Sequence, residues 1–150
     1  MTAGPPSIAD KLALRELAEA YARAADRVDG PGLAALFMPE GLLRIVRRGS
    51  EDPPAERHGR EEIATAIARL DRYVKTFHFV GNHYVTVDGD EATGEVYCVA
   101  HHLLGDSGSQ IDHVMMIRYQ DQYHREPDGW RIAVRELQVD WTEERTVTSP

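Results

Sequence analysis

Apolar residues recur at helical spacing through Leu14, Leu17, Ala18, Tyr21 and Ala25, with Arg15, Glu19 and Arg23 on the opposite side. The chain therefore opens on an amphipathic helix over about 8–26, started by Ser7 with Asp10 three positions on. Residues 1–6 before it read as a loose tail. Gly30-Pro31 breaks the pattern, Leu33 to Met38 reads as a short second helix, and Gly41 to Arg48 as a strand. The polar run from Arg48 to Arg57 reads as a loop. A third helix follows from about Arg60 to Tyr73, with Ile63, Ala66, Ile67, Leu70 and Val74 as its stripe.

From Thr76 onward the period shortens to two. Strands are expected over 76–87, 91–104, 112–124 and 130–141, separated by Asp88-Gly89-Asp90, a Gly/Ser loop at 105–109 and Pro127-Asp128-Gly129, with 143–150 left as a second loose tail. Helices first and hairpin-linked strands second argue one α+β domain over 1–150, in which a mostly antiparallel sheet curls around three helices. Strand parity then sorts the side chains. In 91–104 the even positions Ala92, Val96, Cys98, Ala100 and His102 face inward, so His101 faces outward. In 112–123 Met115, Ile117 and Tyr119 look inward. The last strand changes its apolar phase between Ile132-Val134 and Leu137-Val139, which predicts a bulge near Arg135 and Glu136 that turns Arg135 toward the interior.

Composition narrows the function. The chain has 150 residues and a formal charge of -8, so no basic field draws it to nucleic acid or to an anionic membrane surface. Its single cysteine, Cys98, excludes an internal disulfide and a Cys-x-x-Cys zinc site. The amino terminus shows no basic and apolar leader, and no stretch approaches 18 consecutive apolar residues, so a cytoplasmic protein is expected. His101-His102 does not make a metal pair, because adjacent strand residues face opposite ways. Phosphate-loop, dinucleotide and Gly-x-Ser-x-Gly signatures are absent.

Two residues stand out chemically. Asp26 ends the first helix and His78 lies in the strand after the third, so a rigid helix and a rigid strand could hold a carboxylate and an imidazole together. The plainer alternatives are that Asp26 pairs with Arg23 or Arg27 at a solvated helix end, and that His78 is a satisfied core histidine. Phe77 and Phe79 on one face of strand 76–87, with Val80 and Tyr84 on the other, leave apolar groups on both sides and predict a homo-oligomer, a dimer or trimer.

The ordered set Leu-Arg-Glu-Leu-Ala-Glu-Ala-Tyr-Ala-Arg-Ala-Ala-Asp (14–26), Ala-Ala-Leu-Phe (34–37), Gly-Arg-Glu-Glu-Ile (59–63), His78 with Asn82, Val-Asp-Gly-Asp (87–90), Arg-Tyr-Gln-Asp (118–121) and Trp-Arg-Ile-Ala-Val-Arg (130–135) resembles the SnoaL-like branch of the NTF2-like superfamily. The resemblance implies a cone of three helices in a strongly bent sheet. Within that branch the chain looks most like the scytalone dehydratases and hexachlorocyclohexane dehydrochlorinases. That likeness implies Asp26 and His78 as the catalytic pair. It implies substrate-binding roles for His102, or His101 if the hairpin slips by one, and for Arg135 on the last strand. Bile-acid dehydratases of the branch place a tyrosine where this chain has Tyr21, and a polar amide of the scytalone dehydratases falls on Tyr119.

The expected function is a cofactor-independent lyase, without metal, acting on a compact, mostly apolar cyclic or polyketide-like molecule. An isomerase or cyclase using the same base is the nearest rival. A non-catalytic ligand-binding module and the small subunit of a ring-hydroxylating oxygenase share the fold.

Overall fold

The computed structural model describes residues 6–106 and 108–148. Expectations for residues 1–5, for Ser107 in the Gly/Ser loop and for 149–150 fall outside them. Ser7 closes the first turn of α1 (Ile8–Asp26), accepting from the Asp10 backbone N–H at 3.0 Å and donating to its carboxylate at 2.8 Å. The apolar stripe of α1 is buried, and the helix lies along one edge of a six-stranded sheet. At its far end Val28 has φ 55, a left-handed conformation that costs a β-branched residue about 1–2 kcal/mol.

The second helix departs from its expected bounds. α2 is Gly30–Ala34, capped by Asp29 onto the Gly32 N–H at 2.9 Å. Pro31 does not break it, because the first turn of a helix needs no N–H from that position. Phe37, expected in that helix, instead starts β1 (Phe37–Arg47). The last residues of the expected polar loop form β2 (Ala55–His58), which pairs with β1 and is tied across the strands by Arg44 and Glu56 at 2.8 Å. α3 (Gly59–Ala68) is shorter than its periodicity suggests, passing into a 3-10 turn over Arg69–Arg72, so Val74 is exposed.

The remaining strands are β3 (Lys75–Asp88), β4 (Glu91–Asp106), β5 (Ser109–Glu126) and β6 (Gly129–Val147). The sheet runs β2-β1-β6-β5-β4-β3, parallel only between β1 and β6. It is curved and open, and the helices fill its inner side in an α+β cone. The segment from 143, expected as a loose tail, continues as strand to Val147 because β5 supplies it with a partner along its whole length.

Irregularities in the ladders decide where side chains point. β3 shifts register between Val80 and His83, so His78 pairs with Ala100 on the inner face while Tyr84, opposite Glu95, joins Phe77 and Phe79 outside. The expectation that Tyr84 would oppose those phenylalanines is thus overturned by a bulge at Gly81 and Asn82. The Arg15 guanidinium holds that bulge from α1, donating to the Val80 and Gly81 carbonyls. In β6 the shift falls at Ala133, between Ile132 and Val134, earlier than expected, and it does turn Arg135 inward.

Candidate active site

The Asp26 carboxylate at the end of α1 turns toward β3 rather than toward either neighbouring arginine. Oδ1 lies 2.7 Å from His78 Nδ1 and accepts from the Thr76 hydroxyl at 2.9 Å, while Oδ2 accepts the His78 backbone N–H at 3.0 Å. Burial alone would raise this carboxyl. The bonds from the His78 ring and backbone and from Thr76 outweigh it and hold Asp26 below the ordinary aspartate value. An ionised carboxylate at this distance assigns the proton to Nδ1, which leaves Nε2 on the far side of the ring with a free lone pair. Side-chain exposure is 8% for His78 and 25% for Asp26, so the pair is sheltered without being sealed.

His102 completes this group. It pairs with Thr76 across the β3–β4 ladder, and its ring meets His78 edge-on with centroids 5.3 Å apart and Tyr73 at 4.7 Å. Burial, helped by the His78, His113 and Arg72 charges, pushes its pKa down to about 4, so His102 is neutral at pH 7. Its Nδ1 is buried and without a hydrogen-bond partner.

The depressed His102 value predicts a pH dependence of stability. Between the unfolded value of 6.5 and about 4 the unfolded chain binds the proton and the folded chain does not. The stability linked to His102 is therefore present above about pH 6.5 and lost as pH falls toward about 4, on the order of 2–3 kcal/mol in total. Urea unfolding between pH 7.5 and 4.5 should show this loss in the wild type and a flatter profile in His102→Gln. Equal slopes would place the titration elsewhere.

Tyr21, Tyr119 and Arg135 do not join the pair. The Arg135 guanidinium is 1% exposed and makes two bonds to Asp121, at 2.8 and 2.7 Å. It lies over the rings of Tyr21 at 4.3 Å and Tyr119 at 4.2 Å, which meet each other edge-on with centroids 5.6 Å apart. Tyr123 adds a third donor to Asp121 at 2.6 Å. Burial pushes Tyr21 up to about 12 and Tyr119 well above its usual value, so neither supplies a proton near neutrality. The three, expected as substrate-binding residues, pack together around Asp121 in the interior. Asp121 was not singled out from the sequence, although it shares the inward parity of Ile117, Tyr119 and Tyr123.

A groove of about 540 Å³ between α1 and β3 reaches the pair, bordered by Ala22, Asp26, His78, Phe79 and Val80, by Arg15, Glu19 and Arg23 of α1 and by Arg27 just beyond it. Its volume suits a small ligand. None of Tyr21, Tyr119 and Arg135 borders it. Among the described residues no group of three or more His, Cys, Asp or Glu side chains is placed to hold a metal ion. No helix among them is long and apolar enough to cross a membrane.

Comparison with known proteins supplies a family. A model of the SnoaL-like domain matches residues 6–136. An uncharacterised protein of Mycobacterium tuberculosis is 27% identical over 128 residues, 85% of this chain and 84% of its own. The crystal structure of a putative scytalone dehydratase from Novosphingobium aromaticivorans superposes with a TM-score of 0.76 over 95% of this chain and 91% of that one, at 19% identity. A hexachlorocyclohexane dehydrochlorinase of type 2 gives 0.75 over 95% and 94%, at 16% identity. At those identities the two structures speak for the fold.

Proposed function

The chain belongs to the SnoaL-like family, and on that premise we propose that it is a cofactor-independent lyase whose base is His78 oriented by Asp26. The observation that carries the proposal is the 2.7 Å contact between Asp26 Oδ1 and His78 Nδ1, at the edge of a groove large enough for a substrate. His78 Nε2 removes a proton from the carbon next to a carbonyl. The C–H electron pair forms a double bond to the neighbouring carbon, and a hydroxyl or halide leaves with its own pair. Asp26 stabilises the imidazolium formed in this step, and a departing hydroxyl takes the proton back and leaves as water. His102, neutral and with its ring centroid 5.3 Å from that of His78, packs against the base without bordering the groove.

The substrate that fits is a compact cyclic or polyketide-like ketone, since Ala22 and Val80 supply apolar wall around a few polar points. Isomerisation or cyclisation would use the same base and differ in product. Incubating the protein in D₂O with hydroxylated and halogenated cyclic ketones tests the reading by NMR. Exchange at the α-carbon together with loss of the leaving group is expected. Exchange with the leaving group retained would move the activity to an isomerase, and no exchange with any bound ketone would overturn the base altogether.

A second copy of the chain is proposed to cover the outer sheet face. Phe77, Phe79, Tyr84 and Trp141 stand on that one face at 57, 62, 79 and 58% exposure, more large apolar surface than a monomer ordinarily leaves open. Light scattering at micromolar concentration should give at least a dimer mass, and Phe79→Glu with Trp141→Glu should lower it to the monomer. A monomer mass for the wild type would dismiss the pairing.

A further inference from the structure

Asp26 is committed to Thr76 and His78, and this leaves the arginines on either side of it in sequence without an acid. Among the described residues neither the Arg23 nor the Arg27 side chain has a hydrogen-bond or ion-pair partner, and both are exposed along the groove that reaches His78. Arg23 and Arg27 outnumber the one unbalanced acid of that groove, the Asp26 carboxylate. Arg15 is paired with Glu19 at 2.8 Å and spends its remaining donors on the Val80 and Gly81 carbonyls. A protein of net charge -8 therefore carries a local positive rim at the mouth of its candidate active site.

The helix itself accounts for part of this arrangement and not for all of it. A cation near the carboxyl end of α1 suits the partial negative charge there. Two cations at i and i+4 repel each other, and among the described residues neither has an ion-pair partner to relieve this. Guanidinium groups one turn apart present planar donor forks to whatever enters between them, and the planar oxyanions that match such forks are carboxylate and phosphate.

We infer that the substrate carries an oxyanion, a carboxylate or a phosphate, which Arg23 and Arg27 hold at the groove mouth while its ketone ring lies against Ala22 and Val80 beside His78. The inference rests on the proposed placement of the substrate in this groove, and it replaces a wholly neutral ligand with an anionic one. The anion would serve two purposes: the rim attracts it from solution, and two-point attachment fixes the distance from the anchoring group to the α-carbon.

The test reads affinity rather than turnover, so its failure is separable from failure of the base assignment. The probes are 4-oxocyclohexanecarboxylate, its methyl ester and 4-oxocyclohexyl phosphate, titrated calorimetrically into the wild type, His78→Gln, and the double variant Arg23→Gln with Arg27→Gln. The wild type and His78→Gln should bind at least one of the two anions about tenfold or more tighter than the ester, a ratio within the reach of one charge-assisted bond. That preference should shrink as salt rises and disappear in the double variant. Tighter binding of the carboxylate or of the phosphate identifies which anion the substrate carries. Equal affinity for anions and ester in the wild type, a preference that survives loss of both arginines, or no binding of either anion at millimolar concentration would each overturn the inference. Anion preference without any α-proton exchange would leave it standing and remove His78 as the base.

Discussion

His78→Gln is expected to lower turnover of a true substrate by about 10²–10⁴ while leaving the fold intact, because removal of a general base typically costs that much in rate. Glutamine keeps a polar group of similar reach but cannot carry the proton. Asp26→Asn should be comparably damaging to kcat for a different reason. The amide oxygen still accepts where Oδ1 does, yet the neutral group no longer stabilises the imidazolium that forms when Nε2 takes the substrate proton. Three donors converge on this carboxylate, so Asp26→Asn should also lose about 1–2 kcal/mol of stability, as one of the donors faces an amide N–H. Steady-state kinetics with the identified ketone, alongside urea unfolding, separates the two effects. A His78→Gln variant that retains wild-type kcat would remove the histidine from the mechanism.

The second large effect is structural. Arg135→Ala should destabilise the protein by about 3–5 kcal/mol, because it strands the Asp121 carboxylate in the core and opens a gap beside the rings of Tyr21 and Tyr119. For a chain of this length the melting temperature should fall on the order of 10 °C. Combining Arg135→Met with Asp121→Leu should recover much of the loss, since a buried ion pair contributes little net stability once both charges are gone. Differential scanning calorimetry on the three proteins measures this directly. A variant Arg135→Ala that melts within about 2 °C of the wild type but shows a raised KM would place the guanidinium against substrate instead.

These two residues show how unequally the site could be read along the chain. Asp26 and His78 each announced themselves by local context, one closing a helix and one at an inward strand position. Their approach to 2.7 Å depends on α1 lying along β3, a contact between residues 52 positions apart. Arg135 could be given its inward direction from the phase change in its strand. Its partner could not, because Asp121 belongs to the neighbouring strand and is brought opposite by register. Arg23 and Arg27 were visible only as alternative partners for Asp26, and the rim they form appears once that carboxylate is seen to turn to the sheet.

Periodicity alone determined the elements that bury one face: the stripe of α1, the alternation of β4 and the helix-then-hairpin order of an α+β cone. Each of those rests on side chains a few residues apart, and burial of one face imposes its period directly on the sequence. The tertiary structure decided what depends on pairing. β2 and the end of β6 exist because a neighbouring strand accepts their backbone groups, although their polar sequences carry little strand signal. The bulge at Gly81 and Asn82 moves Tyr84 to the outer face, and only the fold shows Arg15 holding it. A one-residue change of register exchanges the faces of every side chain beyond it, so position along a strand gives a residue's parity but not its partner.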